Sequence, residues 1–265
     1  MFTIATLYHL TPLADLPALQ KAWKAYMLGQ NVTGTLLVTP EGINGTIAGP
    51  NVGVKAVLET LKSHPQLGAL TWKFSYAETQ PFQRTKVKLK REVIPLGHPV
   101  KPEMAGQYVK PADWNALIAR PDVITIDTRN DYEVQIGMFK GAANPATRTF
   151  KELPTWLEKT LPADKNVPIA MYCTGGIRCE KSTAYLREQG YENVYHLEGG
   201  ILKYLEDVPA EASLWQGDCY VFDDRVAVNH DLAPATQYAI CPCCNGAVNA
   251  ADWRRNSETP CPRCR

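Results

Sequence analysis

The stretch Val167-Pro168-Ile169-Ala170-Met171-Tyr172 runs directly into Cys173-Thr174-Gly175-Gly176-Ile177-Arg178-Cys179-Glu180-Lys181, and the chain continues as Ser182-Thr183-Ala184-Tyr185-Leu186-Arg187. A short apolar run bounded by turn formers reads as a buried strand, the paired glycines as a tight loop, and the segment after them as a helix. A strand feeding a loop and a helix is the building unit of a parallel sheet, and ligands of such sheets bind at the strands' carboxyl ends. Cys173 is expected at one of those ends.

Adjacent glycines remove the side chains that would stop the backbone curling around the sulfur, so successive N–H groups point inward as an anion cradle. The start of the helix and the charge of Arg178 add to it. Such surroundings lower a thiol from about 8.5 to roughly 3.5–7.5. Cys173 is therefore the expected nucleophile, with Thr174, Gly175, Gly176, Ile177 and Arg178 forming its anion loop; the alternative is an inert buried cysteine beside a turn. Cys179 either resolves an oxidised Cys173 or is a bystander on the first helical turn. Four residues separate Cys173 from Arg178. This loop resembles the active-site loop of the rhodanese sulfurtransferases, whereas cysteine phosphatases use one residue more to enclose a phosphate.

With 265 residues the chain has room for two domains, and 45% apolar with 21% charged residues is an ordinary globular balance. A net charge of +1 gives no global pull toward polyanions, so any nucleic-acid contact must come from a local patch. No run of 18 apolar residues occurs, and Met1-Phe2-Thr3-Ile4-Ala5-Thr6 has no basic segment ahead of an apolar core. The expectation is a cytoplasmic protein without membrane contact. Its eight cysteines then argue for catalysis and metal rather than disulfides.

Residues 1–94 alternate strand and helix: a strand over 2–10, a helix from Pro12 to about Met27, and a strand over Val32–Thr39. A hairpin turn comes next at Asn44-Gly45, then a helix near Val52–Ser63 and strands near Leu70–Tyr76 and Thr85–Val93. That order predicts a ferredoxin-like α+β sandwich. In its last strand Arg84, Lys86, Lys88 and Lys90 share one face, a basic ladder suited to a phosphate backbone or to protecting a sheet edge. Residues 95–112, rich in proline and glycine, read as a linker. From 113 to 211 strands alternate with helices, beginning with Asp113 capping a short helix, which predicts a parallel sheet covered by helices on both faces. Asp127 and Arg129 end a buried strand there and are candidate supporting residues. Residues 212–265 form a Cys-rich region in which Cys241 and Cys244, sixteen residues, then Cys261 and Cys264 have the spacing of a thiolate zinc site, with Cys243 to spare.

Asp127-Thr128-Arg129, then Glu133, then Gly137 to Pro145 with Gly141-Ala142, all ahead of the Cys173 loop, resemble the rhodanese domains. More narrowly, Glu41-Gly42-Ile43-Asn44-Gly45-Thr46, Lys86-Val87-Lys88-Leu89-Lys90, Ile126 to Asn130, Met171 to Lys181 and Tyr195-His196-Leu197-Glu198-Gly199-Gly200-Ile201 resemble the bacterial tRNA uridine hydroxylases, over the whole chain. The resemblance implies oxygen-dependent hydroxylation of wobble uridine 34 to 5-hydroxyuridine. Cys173 would be the persulfide-forming cysteine, tRNA the partner, and molecular oxygen the co-substrate with an electron donor the residues do not name. No flavin or nicotinamide fingerprint and no two-His-one-carboxylate set accompanies it. Residue by residue, the chain also fits a sulfurtransferase carrying sulfane sulfur on Cys173, or an RNA-binding module with an inert loop.

Overall fold

The computed structural model describes residues 1–241 and 246–250, and the chain divides into two compact units. One takes in Met1–Pro95 with Phe222–Asp224, the other Leu96–Val221 and the chain from Arg225 on.

The first unit runs β1 (Phe2–Leu10), α1 (Leu16–Gly29), β2 (Thr33–Thr39), β3 (Gly42–Gly49), α2 (Asn51–Lys62), β4 (Thr71–Ala77) and β5 (Thr85–Leu89). The strands lie in the order β4-β1-β3-β2-β5, antiparallel except that β5 runs parallel to β2. This is the expected ferredoxin-like sandwich with an added edge strand. Alternation along the strands turns Leu7, Leu36, Ile43, Ile47 and Val87 toward Trp23 and Met27 of α1 and Val54, Leu58 and Leu61 of α2, closing one core. The hairpin turn expected at Asn44-Gly45 lies earlier. Thr39 pairs with Gly42, so Pro40 and Glu41 form the two-residue loop and Gly42 supplies the positive φ of 134°. Gly45 lies within β3, where a Cβ would come 2.3 Å from the Thr35 carbonyl oxygen on β2. Likewise β5 stops at Leu89 rather than Val93, because its partner β2 ends at Thr39; the Val93 amide donates instead to the Glu41 carboxylate at 2.6 Å.

The second unit contains β6 (Gln107–Val109), α3 (Pro111–Ile118), β7 (Ile124–Asp127), α4 (Asp131–Val134), β8 (Gly137–Phe139), α5 (Leu153–Thr160), β9 (Ile169–Tyr172), α6 (Ile177–Glu188), β10 (Val194–Leu197) and α7 (Gly200–Asp207). Four parallel strands lie in the order β6-β10-β9-β7. Successive side chains of β9 point to opposite faces. Ala170 and Tyr172 pack with Trp114 of α3 and Ile201 and Tyr204 of α7, while Met171 meets Ser182 of α6 on the other face. Phe139 is the hub of the first face, edge-on to Tyr172, Tyr204 and Trp215 at 4.8, 4.7 and 5.2 Å between ring centroids.

Two sequence expectations change here. Residues 95–112 are not a free linker: β6 joins the sheet, the Gly106 amide donates to the Thr183 hydroxyl (2.9 Å) and the Lys101 amide to the Glu188 carboxylate (2.9 Å). Its prolines and glycines mark turns at either side of a short pairing segment rather than slack. The helix near Asp113 starts at Pro111 after Lys110, so Asp113 occupies the first turn and is not the cap. Beyond residue 212, β11 (Trp215–Gly217) pairs with β8, β12 (Cys219–Tyr220) with β13 (Ala227–Val228), and β14 (Tyr238–Ile240) with β15 (Ala247–Asn249).

Candidate active site

Cys173 comes directly after the last residue of β9, and α6 begins four residues later. Gly176, at φ 105°, turns the chain between them and points its N–H at the Cys173 sulfur, 3.1 Å away. Cys179 stands on the first turn of α6, its amide donating to the Gly176 carbonyl at 3.0 Å and its sulfur 3.7 Å from the Thr128 hydroxyl oxygen. Cys173 is 1% exposed. Burial alone pushes its thiol up by stripping water from the anion. Neighbouring Cys179, the charge of Arg178 and the Gly176 amide outweigh that and bring it down to about 5. Burial and the neighbouring Cys173 sulfur hold Cys179 well above its ordinary value. At neutral pH the pair carries one thiolate, on Cys173.

Arg178 supplies charge indirectly. Its guanidinium grips the Glu133 carboxylate through two hydrogen bonds of 2.6 Å, in an interior where Arg178 and Glu133 side chains are 5% and 0% exposed. The Thr174 hydroxyl also donates to Glu133 (3.3 Å), and the Asn130 amide donates to it (3.1 Å), closing a capping box on α4. Arg178 thus ties the loop to α4, and its charge favours the ionised form of Cys173. Asp127 and Arg129 make no contact with the loop sulfur among the described hydrogen bonds. They form a second buried ion pair (2.6 Å), with Arg129 also donating to the carbonyls of Gly137 (2.6 Å) and Glu133 (3.3 Å) and lying 5.1 Å from the Trp215 ring centroid.

The loop is clamped from the side by α7. Ile201 and Leu202 donate their amides to the carbonyls of Cys173 (2.9 Å) and Thr174 (3.1 Å). That approach needs Gly200, at φ 67°, where a Cβ would meet the Cys173 carbonyl oxygen at 2.4 Å and the Gly176 nitrogen at 2.8 Å. In sequence Gly199-Gly200 reads only as a helix opening; their second task, close approach to the cysteine loop, is visible only in space. Glu133 is legible as part of a motif spacing but without a role, and Thr128 gives no signal of its own.

A family model described as the UPF0176 acylphosphatase like domain matches residues 2–93, and one described as the rhodanese-like domain matches residues 110–207. A tRNA uridine(34) hydroxylase of Jannaschia sp. (strain CCS1) is 52% identical over 268 aligned positions, covering 100% of this chain and 89% of the relative. The chain belongs to the tRNA uridine(34) hydroxylase family. Among solved structures, the rhodanese-like domain of an Anabaena protein is 20% identical and covers 42% of this chain and 78% of its own, with a TM-score of 0.35. A rhodanese-related protein of Thermoplasma volcanium is 22% identical over 38% of this chain and 93% of its own, TM-score 0.32.

In this member of the hydroxylase family the basic ladder is a solvent-facing feature. Arg84, Lys86, Lys88 and Lys90 are all exposed on or beside the edge strand β5, while Val87 between them is buried in the core. Of the four tail cysteines expected to bind metal, Cys241 is buried, and Cys244, Cys261 and Cys264 lie outside the described residues. No helix among the described residues is long and apolar enough to cross a membrane.

Proposed function

We propose that this chain hydroxylates wobble uridine 34 of tRNA to 5-hydroxyuridine, with Cys173 as the reacting sulfur and Arg84, Lys86, Lys88 and Lys90 holding the RNA backbone. The observation that carries this reading is a buried cysteine whose sulfur accepts the Gly176 amide just before α6, in a chain 52% identical to a tRNA uridine(34) hydroxylase. In an oxygen-dependent hydroxylation one atom of O2 enters the base at C5 and the other leaves as water, which consumes two electrons and two protons from a separate reductant. The chain's part is to hold Cys173 ionised at neutral pH and to shield the reacting sulfur from water. Four exposed cations spaced along one strand suit sequence-independent phosphate contact.

The test is mass spectrometry of digested tRNA from cells lacking the protein, complemented with wild type or Cys173→Ser. 5-Hydroxyuridine is expected to vanish in the null strain and to return only with wild type; its full return with Cys173→Ser would overturn the role of the sulfur. The rhodanese-like Cys-x4-Arg loop favours a second reading, sulfane sulfur transfer through a Cys173 persulfide. Rapid turnover of thiosulfate by the purified protein without RNA would select it.

A further inference from the structure

Among the described residues of the second unit one aromatic side chain is left exposed, and it stands on β6, an edge strand of the parallel sheet. Tyr108 is 56% exposed, yet it is held at two points. Its hydroxyl donates to the Glu180 carboxylate, 2.8 Å from both oxygens, and Glu180 is only 6% exposed on the first turn of α6. Its ring lies against that of His196, with centroids 4.2 Å apart. His196 is buried in turn, its Nε2 donating to the Gly106 carbonyl at 3.1 Å. A tyrosine has two side-chain torsions and both are settled here, so little further freedom is lost when a ligand stacks on the open ring.

The strand registers put Tyr108 in one row with His196 of β10 and Met171 of β9. Two strand spacings, about 10 Å, therefore separate Tyr108 from Met171, and Cys173 follows two residues later at the carboxyl end. Glu180 gives the same placement, since its amide donates to the carbonyl of Gly176 (3.3 Å), whose own amide points at the sulfur. The chemistry around the ring selects what can lie on it. Glu180 holds the hydroxyl, and exposed Glu198 adjoins the strand, its amide donating to the Val109 carbonyl at 2.9 Å. Two carboxylates repel a phosphate, whereas a neutral, flat base meets an aromatic ring through its π-face. We propose that Tyr108 is a stacking platform for an unpaired base of the RNA loop that presents uridine 34, and that it positions this loop beside Cys173. This deepens the proposed function and rests on RNA being the substrate.

The experiment measures, by fluorescence anisotropy, the affinity of the full-length protein for an RNA hairpin carrying the anticodon loop, intact or with the base removed at 34 or at either neighbour. Wild type, Tyr108→Phe and Tyr108→Leu are compared. Both variants lose the hydroxyl bond to Glu180, so a purely structural role would affect them alike; only Tyr108→Phe keeps a ring. Tyr108→Leu should bind the intact hairpin about 10-fold more weakly, as loss of one base–aromatic stack predicts, and Tyr108→Phe within about twofold of wild type. Removing the stacked base should weaken wild type by a similar factor and Tyr108→Leu hardly at all, and the position where this happens identifies the base. Equal affinities for Tyr108→Leu and Tyr108→Phe, or no position at which the two losses coincide, overturn the proposal. If Tyr108→Leu does not fold, Tyr108→Met covers His196 without a ring and gives the same comparison. None of these readouts needs hydroxylation: coupling without 5-hydroxyuridine refutes the assigned reaction and leaves the platform standing, and hydroxylation without coupling does the reverse.

Discussion

Gly200→Ala puts a methyl group where α7 meets the cysteine loop, and its cost can be built from three parts. The first is backbone: φ at 67° is left-handed, which costs an L side chain about 1 kcal/mol or somewhat more. The second is steric. The new carbon would lie 2.4 Å from the Cys173 carbonyl oxygen, so reaching ordinary contact needs about 1 Å of movement, and the atoms in the way are backbone. The third is a result of that movement, since the amides of Ile201 and Leu202 lose their bonds to the Cys173 and Thr174 carbonyls, about 1 kcal/mol each. Together these give about 3–4 kcal/mol, a fall in melting temperature of roughly 6–15 °C for a unit of this size. Because the displaced atoms carry the sulfur, formation of 5-hydroxyuridine should drop about 100-fold even at temperatures where the variant is folded. Gly141→Ala is the control, at φ 80° with nothing within 4 Å of its Cβ, and should show only the backbone cost. Calorimetry and a tRNA assay on the three proteins decide the matter: a Gly200→Ala protein that behaves like Gly141→Ala would refute the clamp.

Glu133→Gln leaves Arg178 buried against a neutral amide and should cost about 3–5 kcal/mol in denaturant unfolding at pH 7. Burial pushes Glu133 up, but the charge and hydrogen bonds of Arg178 prevail and hold it below its ordinary 4.5. A depressed carboxylate stabilises the fold above that value and loses its contribution as pH falls through the lower folded one. The gap between wild type and Glu133→Gln should therefore narrow below pH 4.5, and a constant gap down to pH 3 would contradict the pairing. Lys86→Gln with Lys88→Gln should leave folding within about 0.5 kcal/mol of wild type, since both side chains are exposed, yet reduce the salt dependence of tRNA affinity by about one to two ions. An unchanged slope of affinity against salt would remove this strand from the RNA surface.

Local patterns carried much of this molecule. The order of apolar runs and glycines announced both units. The order of apolar run, glycines and helix formers around Cys173 announced a strand, loop and helix, and alternation along residues 84–90 put four cations on one side with Val87 inside. Failures came where a local signal had two spatial solutions. Asn44-Gly45 is a strong turn pair, yet the register that pairs Thr39 with Gly42 places the turn earlier in the chain and uses Gly45 for close packing. The prolines and glycines of 95–112 read as slack and in fact frame β6, an edge strand too short to register as periodicity.

What the sequence alone determined is which atoms are available: a cysteine at a strand's end, two glycines free to curl, a helix after them. Tertiary structure decided how they are used. The α6 segment from Ile177 to Leu186 is buried throughout although Arg178, Glu180, Lys181, Ser182 and Thr183 lie within it, which no hydropathy pattern would suggest. Polar groups survive inside only with partners, and theirs come from elsewhere in the chain: Glu133 for Arg178, the Tyr108 hydroxyl for Glu180, the Gly106 amide for Thr183. Those partners are 45, 72 and 77 residues away, beyond the reach of any local rule. Gly200 likewise meets the cysteine loop only once the sheet has formed, because parallel strands bring their carboxyl ends, and the loops attached to them, to one edge.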